Sequence, residues 1–132
     1  MQIGLDCDRA VLDERVQARV DRMWAAGLVD EVRGLLDAGI GRTASRAVGY
    51  AEVLAALRGE ITEDEARAQV VAGTRRLARK QMGWFGRDPR VHWLDARDPD
   101  LVDRALALVA AADSGDLGLA TDDPAPRRSL GS

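Results

Sequence analysis

The residues with the most chemical potential form one run. Thr74-Arg75-Arg76-Leu77-Ala78-Arg79-Lys80-Gln81-Met82-Gly83-Trp84-Phe85 joins cations to two aromatic rings, and from Ala66 to Arg87 six bases stand with no acid among them. Guanidinium and ammonium groups neutralise phosphates, and aromatic faces stack on exposed bases, so this composition suits a nucleic-acid surface. It equally suits a solvated basic helix face whose rings lie in the core, and composition leaves both readings open. A second run, Arg46-Ala47-Val48-Gly49-Tyr50-Ala51, offers a guanidinium, a flexible backbone and a phenol close together. On pattern alone it also reads as the start of a buried helix.

The remaining reactive residues carry weaker signals. Glu31, Glu52 and Glu60 are possible bases, but solvated helix faces explain them as well. His92 is the single histidine and lies in an apolar stretch, which suits a structural role. Cys7 is the single cysteine and has no histidine near it in sequence, so a nucleophile has no support. With one of each, a zinc site lacks ligands at metal spacing. An internal disulfide is excluded, and cysteine usage points to a reducing compartment. Eighteen arginines stand against one lysine, Lys80, which sits between Arg79 and Gln81. A phosphate-cradling G-x-x-x-x-G-K-[ST] loop is therefore absent, and so are G-x-G-x-x-G and G-x-S-x-G.

The chain has 132 residues and a net charge of -3, unevenly spread. Residues 1–65 carry -5, residues 66–94 carry +6 and residues 95–132 carry -4. A concentrated basic segment attracts phosphates locally even where the whole chain repels them. An apolar fraction of 46% supports a core rather than wholesale disorder. No apolar run approaches the roughly 20 residues of a membrane span, and no signal-peptide order opens the chain.

These residues need elements to position them. Gln2–Leu5 and Val91–Leu94 read as short strands. Asp8 caps a helix with Leu12, Val16, Val20 and Met23 on one stripe, closed by Gly27. Leu28–Ala38 is a second helix, with Val32, Leu35 and Leu36 inward. Gly41–Ala44 is a loop. Ser45–Arg58 is a third helix, with Val48, Val53, Leu54 and Leu57 apolar and Gly49 inside it at a cost of about 1 kcal/mol in propensity. Thr62 and Glu65 have capping-box spacing and open a long helix from Glu63 to Phe85. Val70, Leu77 and Trp84 recur every seven residues as its expected buried stripe. Pro99–Ala112 is a last helix, and residues 113–132 read as a disordered tail.

The two runs also carry a resemblance. Gly4-Leu5-Asp6, Arg19-Val20-Asp21-Arg22-Met23, Gly27-Leu28, Glu31-Val32 and Gly59-Glu60-Ile61 resemble, in order and spacing, bacterial tRNA dimethylallyltransferases (tRNA isopentenyltransferases). Ala47-Val48-Gly49-Tyr50-Ala51-Glu52 is similar to that family's A-[IV]-G-Y-[KR]-[EQ]. Thr74-Arg75, Ala78-Arg79-Lys80-Gln81 and Trp84-Phe85 resemble its T-R-x-x-A-K-R-Q-x-T-W-F-R, and Arg87 to Asp95 its closing segment. Residues 3–112 are covered. Five positions depart from the family: Ala51 replaces a Lys or Arg, Gly83 a Thr and Gly86 an Arg, while Arg79-Lys80 reverses the usual order.

The resemblance implies transfer of a dimethylallyl group from its diphosphate to N6 of the adenosine 3′ of the anticodon. It implies an α/β P-loop-kinase-like fold of which this chain is the C-terminal part, mainly α with two short strands, over residues 1–112. The phosphate loop and the catalytic aspartate belong to the other part of the family. No catalytic residue is therefore expected here, and the chain alone is expected to be inactive. Mg²⁺ is implied for the complete enzyme without ligands from this chain, and ATP is not expected as substrate. Implied tRNA-contacting residues are Arg46, Ala47, Val48, Gly49, Tyr50 and Ala51, and Arg79, Lys80, Gln81, Met82, Gly83, Trp84, Phe85 and Gly86. Arg19, Arg33 and Arg75 are candidates for the diphosphate. The implied partners are the tRNA anticodon stem-loop and dimethylallyl diphosphate, with a monomeric, cytoplasmic, non-membrane enzyme. The alternatives are a small helical RNA-binding module without chemistry, or a gene remnant. Two strands with unpaired edges predict a loosely packed or aggregation-prone chain.

Overall fold

The computed structural model describes residues 1–118. In chain order these form β1 (Gln2–Asp6), α1 (Arg9–Ala25), α2 (Leu28–Ala38), a 3₁₀ turn (Ala44–Arg46), α3 (Tyr50–Leu57), α4 (Glu63–Phe85), β2 (Val91–Asp95) and α5 (Leu101–Ser114). They divide into two compact units. One is Asp13–Leu77; the other joins Met1–Leu12 to the chain from Ala78 onward.

Local signals set the helix starts. Asp8 Oδ1 accepts the backbone N–H of Ala10 at 3.0 Å and of Val11 at 3.3 Å, satisfying donors that the first turn of α1 leaves free. Both halves of the capping box open α4. Thr62 Oγ1 accepts the Glu65 N–H at 3.1 Å, and Glu65 Oε2 accepts the Thr62 N–H at 2.7 Å.

In the Asp13–Leu77 unit the core gathers Leu28 and Val32 of α2 with Val53 and Leu54 of α3, and Met23, Trp24, Tyr50 and Leu57 pack against them. Val16 and Val20 of α1, and Ala66, Val70 and Val71 of α4, are buried as well. Polar ties run between α1 and α4 in this unit. Trp24 Nε1–H donates to Glu63 Oε1 at 3.0 Å, and the Arg67 guanidinium lies 5.4 Å from the Trp24 ring centroid.

Four details differ from the sequence expectation. The third helix begins at Tyr50 rather than Ser45, because Ala47 is extended and Gly49 has φ 102, which breaks the helical path. Val48 is consequently exposed instead of apolar core, and Leu36 lies on the outer face of α2. The stripe of α4 holds only at Val70, which is 2% exposed, whereas Leu77 is 44% and Trp84 65% exposed. A seven-residue repeat drifts by ~20° per step around a straight α-helix, and the buried residues of α4 end at Val71. Finally, α5 runs to Ser114, with Gly115 as its left-handed cap, so residues 113 and 114 are helical. The rest of the expected tail, from residue 119, lies outside the described residues.

In the other unit, β1 and β2 pair in parallel, from Gln2 opposite Val91 to Asp6 opposite Asp95. Gly4 permits this pairing. A Cβ there would stand 2.6 Å and 2.7 Å from ring carbons of Trp93 and 2.8 Å from Val91 Cγ1. Helix α5 packs on β2 while Val102 and Leu106 face outward.

The turn into β2 is held by charge. Asp88 accepts the Arg90 backbone N–H at 3.0 Å and takes both prongs of its guanidinium at 2.9 and 2.7 Å. These side-chain bonds, then the backbone bond, hold the Asp88 carboxyl down to about 2. Because that value lies below the ~3.9 of an unfolded aspartate, the pair stabilises the folded form above that range. The contribution fades as pH falls through about 2. Asp88→Asn is therefore expected to lower the urea midpoint at neutral pH, with the gap to the parent closing on acidification. A gap that stays constant down to roughly pH 2 would show that the carboxylate's charge is not its source.

Candidate nucleic-acid interface

The Arg46–Ala51 run lies in the Asp13–Leu77 unit, and the Thr74–Phe85 run crosses from that unit into the other at Ala78. In the Asp13–Leu77 unit, Arg46 ends the 3₁₀ turn with an exposed side chain. Ala47 follows in extended conformation, and its carbonyl accepts the N–H groups of Tyr50 and Ala51, both at 3.1 Å. Gly49 is buried and takes the positive φ that this change of direction demands. Its N–H donates to Glu52 Oε2 at 2.7 Å, the reach-back half of a capping box. Tyr50 O–H donates to the Glu31 carboxylate of α2. That bond, aided by burial and by the Glu31 charge, raises the Tyr50 pKa above its ordinary value, so the phenol stays a neutral donor. Glu31 and Glu52 thus pin the run in place, a role that the sequence did not single out for either.

The diphosphate candidates differ in their commitments. Arg33 is ion-paired with Asp30 of the same helix. Arg75 Nε stands 3.1 Å from Asp13 Oδ1, and its Nη2 donates to the Asp13 carbonyl at 3.3 Å, which occupies much of the guanidinium within its own unit. Arg19 is exposed on α1, and its guanidinium has no partner among the described residues.

In the other unit, the last turns of α4 sort the Ala78–Phe85 part of the first run into two faces. Gln81, Met82 and Phe85 line a recess of about 540 Å³ with Gly4 and Trp93 of the strands. Arg79, Lys80, Gly83 and Trp84 are exposed. Lys80 and Trp84 are one helical turn apart and so share a face. Neither Arg79 nor Lys80 has an ion-pair partner among the described residues. Trp84 at 65% exposure is the unusual residue, since an indole is normally well covered. Open space surrounds Gly83, so its missing side chain leaves a gap in the surface. Gly86 differs: a Cβ there would stand 2.5 Å from the Met82 carbonyl oxygen, and the chain turns off the helix by using that closeness.

With this geometry in hand, comparison with known proteins is informative. The family model described as IPP transferase matches residues 1–88. The tRNA dimethylallyltransferase of Thermobifida fusca is 63% identical over 111 residues, which cover 83% of this chain and 35% of that protein. The tRNA dimethylallyltransferase of Bifidobacterium animalis subsp. lactis is 52% identical over 116 residues, covering 88% of this chain and 33% of the relative. Among solved structures, the full-length tRNA isopentenylpyrophosphate transferase of Bacillus halodurans superposes with a TM-score of 0.75 at 35% identity, covering 88% of this chain and 38% of that one. The Staphylococcus epidermidis tRNA delta(2)-isopentenylpyrophosphate transferase gives 0.76 at 28% identity, covering 86% and 38%. The chain thus spans about a third of the length of its curated relatives and matches their C-terminal part. The mainly helical architecture with two short parallel strands is the one expected for that part of an α/β P-loop-kinase-like fold. Motif order, helix placement and superposition agree: this chain belongs to the IPP transferase family.

Proposed function

We propose that this chain is the RNA-contacting, C-terminal part of a tRNA-modifying prenyltransferase. The complete enzyme moves a dimethylallyl group from its diphosphate to N6 of the adenosine 3′ of the anticodon. The N6–C bond forms as the allylic C–O bond breaks, diphosphate leaves, and the N6 proton passes to a base outside this chain. The observation that carries the reading is the exposed Trp84 beside unpaired cations at the end of α4. An apolar ring left in water next to free positive charge suits a stacked base flanked by phosphates. Arg46 and the pinned Tyr50 run supply a second contact surface, and Arg19 is the candidate best placed to meet a free diphosphate.

Mg²⁺ is implied by family resemblance for the complete enzyme. No group of three or more His, Cys, Asp or Glu side chains that could hold a metal ion stands together among the described residues. Its ligands are assigned to the part of the enzyme outside this chain, as are the phosphate loop and the catalytic aspartate. No helix among the described residues is long and apolar enough to cross a membrane. A monomer working in the cytoplasm, where tRNA is processed, completes the proposal.

The test is direct. The purified chain is mixed with unmodified tRNA, dimethylallyl diphosphate and Mg²⁺; binding is followed by anisotropy and prenylation by mass spectrometry of the nucleosides. The expected result is salt-sensitive binding of the anticodon stem-loop with no prenyl transfer. Prenylated adenosine would overturn the assignment of the chemistry to residues elsewhere, and absence of RNA binding would overturn the contact role.

A further inference from the structure

We propose that Arg42, Thr43 and Arg46 form a subsite for an RNA backbone phosphate. The inference rests on the RNA-contacting role above and extends that interface to two residues that neither of the sequence runs includes. The three side chains line one open recess of about 430 Å³ in the Asp13–Leu77 unit. Arg42 and Arg46 are both exposed, and neither guanidinium has an ion-pair or hydrogen-bond partner among the described residues.

Unpaired arginines such as Arg19 and Arg79 occur elsewhere among the described residues, but Arg42 and Arg46 line one recess together. Arg33, Arg67, Arg75 and Arg90 each stand against an aspartate. At the recess two like charges share one cavity with no carboxylate to relieve them. With two cations and no carboxylate lining the recess, an anion is the complementary ligand. Arginine suits that ligand, because its planar fork presents paired N–H donors to phosphate oxygens, and the Thr43 hydroxyl adds a donor that needs no charge.

The backbone beneath is fixed. Ser45 Oγ donates to the Arg42 carbonyl at 2.9 Å, Ser45 N–H to the Gly41 carbonyl at 3.0 Å and Arg46 N–H to the Thr43 carbonyl at 3.2 Å. Ala47 then ties the turn to the first residues of α3. The two arginines are thus mounted on a closed turn, so little backbone freedom is lost when a phosphate binds. A strand that seats a phosphate here meets the Tyr50 run next along the same surface.

The experiment measures binding of an anticodon stem-loop hairpin to the 132-residue chain and to Arg42→Gln, Arg42→Lys and Thr43→Val, across a range of KCl concentrations. Arg42→Gln is expected to weaken binding about three- to tenfold at low salt and to make the slope of log K against log[salt] shallower by about 0.7–0.9, the value for one phosphate no longer neutralised. Arg42→Lys should keep the slope, and Thr43→Val should weaken binding without changing it. Far-UV circular dichroism should be the same throughout, since no described residue leans on the Arg42 side chain. Binding by the parent with an unchanged slope in Arg42→Gln overturns the subsite and leaves the wider RNA reading standing. Failure of the parent to bind overturns both. Sodium diphosphate is the last arm: if it displaces the hairpin from the parent at far lower concentration than sulfate, and does not do so from Arg42→Gln, the recess takes free diphosphate and the backbone assignment is wrong.

Discussion

Trp84→Ala is expected to weaken binding of the anticodon stem-loop by about 1–3 kcal/mol, roughly fivefold to more than a hundredfold. The indole is 65% exposed, so its removal opens no large cavity and the melting temperature should hardly move. What disappears is a flat apolar face one helical turn from Lys80. Stacking does not depend on counterion release, so the salt slope should stay that of the parent. Arg79→Glu should behave in the opposite way, with a shallower slope and a loss that shrinks at high salt. Trp84→Phe retains a ring and should recover most of the affinity. An unchanged dissociation constant for Trp84→Ala, or a loss that tracks a fall in melting temperature, would defeat the stacking role.

Gly4→Ala is expected to cost about 1–3 kcal/mol of folding stability through overpacking. The added methyl would meet two Trp93 ring carbons at 2.6 and 2.7 Å and Val91 at 2.8 Å. None of these is the free end of a flexible chain: the ring is rigid, and Val91 is 3% exposed and anchors the strand. Either Trp93 rotates off the sheet or the strands part. Thermal unfolding and tryptophan emission check this together, the expected outcome being a lower midpoint with red-shifted emission. Adding Trp93→Leu should return part of the loss, because the two sites are in contact and not additive. An undisturbed midpoint in Gly4→Ala would show that the sheet yields without cost.

Much of the scaffold was legible because its signals are local. Asp8, Thr62 and Glu65 announce helix starts through side chains that bond a backbone two or three residues away. The bounds of α4 follow, and both strands fall within a residue of their expected ends. The misreadings turn on features that apolar spacing does not carry. The start of α3 depends on the path of Ala47 and Gly49, not on the apolar residues around them. Trp84 looked like core because its spacing from Val70 fits two heptads, but spacing does not say how far along a helix the covering elements reach. The Arg42 recess was invisible because residues 41–44 read as featureless loop until the 3₁₀ turn sets Arg42, Thr43 and Arg46 around one recess. Gly4 looked like a minor family match, and its purpose appears only when Trp93 arrives opposite.

That arrival has a consequence for the timing of synthesis. The parallel pair joins residues 2–6 to residues 91–95. On the ribosome β1 emerges before β2, and this pairing waits until the segment after α4 is made. At about 5–20 residues per second this interval lasts on the order of several seconds. The Asp13–Leu77 unit, whose core lies wholly within its own span, has all its residues before β2 exists. For that interval β1 waits for its β2 partner while the helical unit already has every residue its core needs.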